Sequence, residues 1–168
     1  VTYELYNFDY KMGESMGTEQ LTPSEVIERY FPDVKKLREY IPYLEKLCGQ
    51  RGSDTFNQDG LSQHSLAFPV YDSNLLRFVK EAENTVFMNR NYHYSYSRYR
   101  MKTVEDELKV IENSTILQMD VLGDILSKYV LGGRTKATYW SEAARHGIFI
   151  AVVEKADALI HFWETDRE

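Results

Sequence analysis

Four cationic side chains and four tyrosines stand close together between residues 90 and 102. No Asp or Glu occurs between Glu83 and Glu105, although the whole chain carries a formal net charge of −6. Guanidinium groups pair with carboxylates and phosphates, and tyrosine rings give large contact surfaces, so both residue types are enriched where proteins bind partners. We expect a recognition surface formed by Arg90, Tyr92, His93, Tyr94, Tyr96, Arg98, Tyr99 and Arg100.

Three interpretations of this segment are open. A strand would place Tyr92, Tyr94 and Tyr96 on one face, where the rings could stack single-stranded bases along Tyr92 to Lys102. The same side chains suit a protein partner, which the acidic net charge favours over a nucleic acid. Alternatively, the rings pack on helices and the cations pair with acids elsewhere in the chain. The sequence ranks packing first, protein binding second and nucleic-acid binding third.

A second set of side chains that could do chemistry lies in the predicted last helix. Glu154, Asp157 and His161 recur at i, i+3 and i+7, and all three residue types bind metal ions. A metal-dependent enzyme is therefore an alternative function. These residues lie opposite the apolar stripe of the helix, so we expect a solvated face and no cofactor. Cys48 has no neighbouring base, and the sequence favours a non-catalytic binding or regulatory module over an enzyme.

The elements that must position these residues are predicted to be helices. A chain of 168 residues with 43% hydrophobic side chains is large enough for one real core. We expect a single domain over 1–168, mainly α, folded as a compact helical bundle. A minor β element or extended arm is predicted in 1–21, and a long polar loop in 50–65.

Local signals predict where several helices begin and end. Thr22 is a helix cap, followed by a proline at the first helical position, and this helix is expected to end near Tyr30 because Pro32 follows. In the C-terminal third of the chain, Asp120, Asp124 and Lys128 are expected on the solvent side of an amphipathic helix. These patterns predict helices with well-marked ends.

The last two helices of the chain are expected to meet at a glycine. Thr135 is predicted to cap a short helix that runs through His146. Gly147 is predicted to end this helix, because glycine readily adopts the left-handed conformation that follows a helix. Tight glycine turns of this kind favour antiparallel packing of neighbouring helices.

The stretch from Val70 to Leu159 resembles a bacterial family known as a domain of unknown function, number six-five-zero-eight. The resemblance rests on the helical run Asn74-Leu75-Leu76-Arg77-Phe78-Val79 and on an arginine thirteen residues before a glycine, here Arg134 and Gly147. It implies a helical bacterial domain and no assigned activity.

Cysteine usage and hydropathy indicate a compartment and exclude one class of partner. The single cysteine excludes an intramolecular disulfide, and a reducing environment is expected. No apolar stretch reaches the ~20 residues needed to cross a bilayer, and the first ten residues lack the pattern of a secretory signal. We expect a cytoplasmic location and no membrane partner. A homo-oligomer is compatible with the sequence.

Overall fold

Helices form most of the chain in the computed structural model, which describes residues 20–49, 72–136 and 138–167. The predicted N-terminal arm, apart from residues 20 and 21, and the predicted loop 50–65 lie outside the described residues. Within the described ranges the chain forms helices and turns but no strand. The predicted mainly α class is therefore confirmed.

Eight α-helices can be followed along the described chain. They are α1 (Pro23–Leu37), α2 (Ile41–Leu47), α3 (Ser73–Glu83), α4 (His93–Arg98), α5 (Val104–Asn113), α6 (Met119–Gly132), α7 (Tyr139–Arg145) and α8 (Ile148–Arg167). Short 3₁₀ turns join α1 to α2 at Arg38–Tyr40 and lead into α6 at Ile116–Gln118. None of the helices followed here is long and apolar enough to span a bilayer.

The core of the bundle forms around α6 and α8. Helix α8 contacts α1, α2, α5, α6 and α7, and α6 in turn contacts α3, α4, α5 and α7. The rings of Phe78 and Phe149 have no exposed surface and lie 5.0 Å apart between centroids. Burial of such a side chain contributes about 1.5–3 kcal/mol, so this apolar centre is the main source of stability. The predicted compact bundle is confirmed.

Helix α1 begins as predicted but does not end as predicted. The Thr22 hydroxyl accepts a hydrogen bond from the Glu25 amide at 3.2 Å, and Glu25 accepts one from the Thr22 amide at 2.8 Å. The helix then continues through Pro32 to Leu37, so the predicted end near Tyr30 is wrong. Tyr30 and Leu37 are both buried, and their packing outweighs the single hydrogen bond that the exposed proline removes.

Helix α7, which lies between α6 and α8 in the chain, differs from the prediction at its N-terminal end. Helix α7 begins at Tyr139 rather than after Thr135, because the Thr135 hydroxyl bonds back to the Gly132 carbonyl at 3.2 Å and extends the preceding turn. Gly147 follows the C-cap residue His146 with a φ of +80° and ends α7 as predicted.

Close contact with α6 positions the turn that leads into α4. An ideal Cβ on Gly123 would lie 2.7 Å from the carbonyl oxygen of Phe87, so only glycine leaves room for this backbone. One helical turn further on, the Ser127 hydroxyl accepts a hydrogen bond from the Asn89 amide at 2.9 Å. The residues immediately before α4 are therefore fixed against the central helix.

Candidate recognition surface around helix α4

The segment rich in tyrosine and arginine is a helical turn, not a strand. Helix α4 spans His93–Arg98, and helical geometry brings residues four apart to the same side. The rings of Tyr92 and Tyr96 accordingly lie 6.4 Å apart between centroids, whereas Tyr94 points away from the bundle with 69% of its surface exposed. The strand that would place Tyr92, Tyr94 and Tyr96 on one face is therefore not formed.

Two carboxylates from neighbouring helices hold the inner face of α4. The Tyr96 hydroxyl donates a hydrogen bond to Glu107 of α5, and the buried Ser95 hydroxyl donates one to Asp124 of α6. Asp124 also accepts a hydrogen bond from the Asn89 side-chain amide at 2.8 Å. A helix of only six residues is not stable alone, so these contacts explain why the sequence is helical here.

Glu107 is the most deeply buried acid of this site, with 2% of its surface exposed. Its second oxygen accepts a hydrogen bond from the Tyr129 hydroxyl at 2.7 Å, and Lys128 Nζ lies 3.2 Å from the oxygen that Tyr96 binds. The Lys128 ammonium also stands 4.7 Å and 4.9 Å from the ring centroids of Tyr96 and Tyr129. The buried negative charge is thus met by two hydroxyl donors and one cation.

The environment of Glu107 changes the acidity of both tyrosines. Loss of hydration on burial raises the pKa of Tyr96 and of Tyr129, and the neighbouring carboxylate raises both further by opposing a second negative charge. Both hydroxyls therefore keep their protons and remain donors.

Two residues that were expected on the surface lie partly or wholly inside the protein. Asp124 is only 6% exposed and Lys128 is half-buried, so the expectation that both face solvent is wrong. The reason is that α6 lies in the middle of the bundle and is covered on most of its sides. Gly123 and Ser127 could have indicated that Asp124 is buried, because small residues beside an acid let another backbone approach the helix.

Glu107 was not singled out from the sequence at all. It lies at helical spacing between Val104 and Ile111, on the side of α5 that packs into the bundle. An acid within an apolar stripe indicates a buried carboxylate that must find donors. No local pattern identifies those donors, because Tyr96 and Tyr129 belong to other helices.

Exposed cations and one exposed ring lie in and next to α4. We define the α4 surface as Arg90, His93, Tyr94, Arg98 and Arg100, all of which are exposed. Within the described ranges none of its three arginines forms an ion pair, in contrast to Arg38 with Asp157 and Arg134 with Glu83. Of the other predicted residues, Tyr92 and Tyr99 are half-buried and Tyr96 faces inward.

Arg100 adopts a backbone conformation that usually requires glycine. Its φ is +55°, in the left-handed region. The Met101 amide donates to the Tyr96 carbonyl at 3.0 Å and the Arg100 amide to the Ser97 carbonyl at 3.3 Å, which is the Schellman arrangement that ends a helix. A residue with a Cβ in this conformation costs about 1–2 kcal/mol. The arginine is therefore kept at a position where it destabilises the fold.

The predicted metal-binding set does not come together. Asp157 Oδ1 lies 3.3 Å from a guanidinium nitrogen of Arg38, while Glu154 and His161 are exposed. No cluster of three or more His, Cys, Asp or Glu side chains suited to a metal ion occurs among residues 20–49, 72–136 and 138–167.

Comparisons of the chain with protein-family models, curated proteins and solved structures give no match. The resemblance of Val70 to Leu159 to the bacterial family therefore stays a prediction. Geometry and charge are the observations that bear on the function.

Removal of one hydroxyl should lower the free energy of unfolding when it lies on the inner face of α4 but not when it lies on the outer face. We expect Tyr96→Phe to lower the free energy of unfolding by about 1–3 kcal/mol, because Glu107 loses a donor inside the protein. Tyr94→Phe is the matched control and should change it by less than about 0.5 kcal/mol. Urea unfolding measures both variants, and equal effects would contradict the anchoring role of Tyr96.

Asp124 should make stability depend on pH. Burial raises the pKa of its carboxyl above the ordinary 3.8, although hydrogen bonds from Ser95 and Asn89 oppose the rise. The unfolded chain therefore loses this proton at a lower pH than the folded chain. Stability is lost as the pH rises from 3.8 through the folded pKa, and the loss persists above it.

Asp124→Asn keeps an oxygen for Asn89 and an amide for Ser95 but cannot ionise. We expect the stability of the wild type relative to this variant to fall as the pH rises above 3.8, because the folded chain holds this proton more tightly than the unfolded chain. Urea unfolding at several pH values measures the difference. A difference that is constant or rises with pH would contradict the raised pKa.

Proposed function

We propose that this chain is a non-catalytic binding module that recognises an acidic segment of a protein partner through the α4 surface. The observation that carries the proposal is that three arginines of one short segment are exposed and form no ion pair in the described chain, while the ring of Tyr94 in the same segment is exposed too. Tyrosine and arginine are the side chains that most often dominate the energetics of protein interfaces.

Rigidity of α4 supports this proposal. Ser95 and Tyr96 fix the inner face, so the outward side chains project from a backbone that is already ordered. A surface that is ordered before binding loses less conformational entropy when the complex forms. The α4 surface is therefore suited to recognition without any rearrangement of its helix.

The conformation of Arg100 is a second supporting observation. A glycine at this position would satisfy the same helix cap without strain, yet the chain carries an arginine there. Strained residues in proteins are concentrated at functional sites. A contribution of this guanidinium to binding explains why the less stable residue is present.

Accessible rings distinguish a protein partner from a nucleic acid. Proteins that bind single strands stack successive bases on several exposed aromatic side chains. Here Tyr96 is bound to Glu107, Tyr92 and Tyr99 are half-buried, and Tyr94 alone of the four is largely exposed. The net charge of −6 also repels a polyanion at long range. These features favour a protein partner over a nucleic acid.

A triple substitution on the α4 surface should abolish partner binding without unfolding the protein. Arg90→Ala, Tyr94→Ala and Arg98→Ala remove exposed side chains and leave the contacts of Glu107 and Asp124 in place. Cross-linking in lysate with mass spectrometry identifies a partner, and calorimetry with the purified partner measures affinity. We expect at least a tenfold loss, since the variant removes three interface side chains.

The control for this experiment carries Lys35→Ala, Lys36→Ala and Tyr43→Ala, which removes two cations and one exposed tyrosine from another part of the surface. It should bind like the wild type. Equal affinity of the α4 variant and the control would reject the α4 surface. Binding of a labelled oligo-dT, lost with the triple substitution and with added salt, would support the nucleic-acid alternative instead.

Arg100 should show opposite effects on stability and on binding. Arg100→Gly relieves the left-handed backbone, and we expect the free energy of unfolding to rise by about 0.5–1 kcal/mol. Affinity for the partner should fall because the guanidinium is lost. Arg100→Ala is the control, since it loses the guanidinium but keeps the strain. Wild-type affinity of both variants would show that Arg100 has no part in recognition.

A further inference from the structure

A groove of about 830 Å³ lies next to the α4 surface. It is bounded by the start of α1, the end of α4 and the 3₁₀ turn that leads into α6. Buried side chains, among them Tyr30 and Met119, form its floor. Its volume falls within the range of roughly 300–1,000 Å³ that is typical of ligand pockets.

Two arginines from different helices line this groove. Arg29 belongs to α1 and Arg98 to α4, and neither forms an ion pair with any residue of the described ranges. The Arg29 guanidinium lies 5.9 Å from the ring centroid of Tyr30. Asp120 is the one acid among the described lining residues, so cations outnumber acids there by two to one. The charge of the described lining complements an anionic occupant.

The groove also offers apolar and polar contacts. Leu117 lines it with 40% of its surface exposed. On the same lining, the Gln118 amide donates a hydrogen bond to the Tyr99 hydroxyl at 3.3 Å. A mixed lining of this kind suits a peptide, which presents charged, apolar and backbone groups together, better than a purely ionic ligand.

Arg98 connects the groove to the α4 surface, because it belongs to both. We infer that the groove seats a short acidic segment of the protein partner, with carboxylates paired to Arg29 and Arg98 and an apolar side chain against Leu117. This inference rests on the proposed function and names the chemistry of the bound segment. The partner would thus cover both the outer face of α4 and the adjoining groove.

Anisotropy of a fluorescein-labelled peptide, Glu-Glu-Leu-Glu-Glu-Leu, titrated with the full chain at low salt tests the inference. We expect Arg29→Gln to weaken binding at least fivefold, because one of the two pairing cations is lost. Lys36→Gln is the matched control, since it removes the same charge from an exposed position of the same helix. It should stay within twofold of the wild type.

The pattern of variants separates failure of the groove from failure of the proposed function. Loss of binding in Arg90→Gln and Tyr94→Ala but not in Arg29→Gln would overturn the groove and leave the α4 surface standing. Loss in Arg29→Gln alone would support the groove and show that this peptide binds without Arg90 and Tyr94.

Three results would overturn the inference about the groove. The first is no detectable binding of the peptide. The second is equal binding of a peptide with glutamine in place of every glutamate, because charge complementarity would then have no role. The third is displacement of the peptide by oligo-dT at equal charge concentration, which would indicate a nucleic-acid site.

Discussion

A carboxylate that water scarcely reaches determines how α4 sits on the bundle. Glu107 is 2% exposed, and its oxygens bind Tyr96, Tyr129 and Lys128. An unpaired charge in this position would cost several kcal/mol, so the helices that carry its partners must meet around it. Because one of those partners lies on α4, Glu107 helps to orient the shortest α-helix of the described chain, together with Asp124, which accepts a hydrogen bond from Ser95.

Separation of the two faces of α4 follows from this constraint. Ser95 and Tyr96 bind carboxylates in the interior, whereas the side chains of Tyr94 and Arg98 form no hydrogen bond or ion pair with the rest of the described chain. Side chains that do not stabilise the fold can change during evolution to suit a binding partner. Arg100 does not stabilise the fold either, because its left-handed backbone conformation reduces stability where glycine would not.

Sequence patterns anticipated the features that depend on near neighbours. The cap at Thr22 and the helix end at Gly147 each involve residues only a few positions apart, and both were predicted. Arginines free of local acids could also be recognised from the sequence. The passage of α1 through Pro32 and the burial of Asp124 could not, because both depend on packing against distant helices. The partner of Ser95 is 29 positions away, beyond any periodic pattern.

Gly123 has a consequence for tracing ancestry. Its hydrogen points at a carbonyl oxygen where no larger side chain fits. Four residues that follow it on the same helix take part in the polar contacts beneath α4: Asp124, Ser127, Lys128 and Tyr129. The run Gly-Asp-x-x-Ser-Lys-Tyr is thus a compact structural fingerprint. Distant homologues that keep this contact between α6 and the turn before α4 should carry the same run of residues even where the rest of their sequence has diverged.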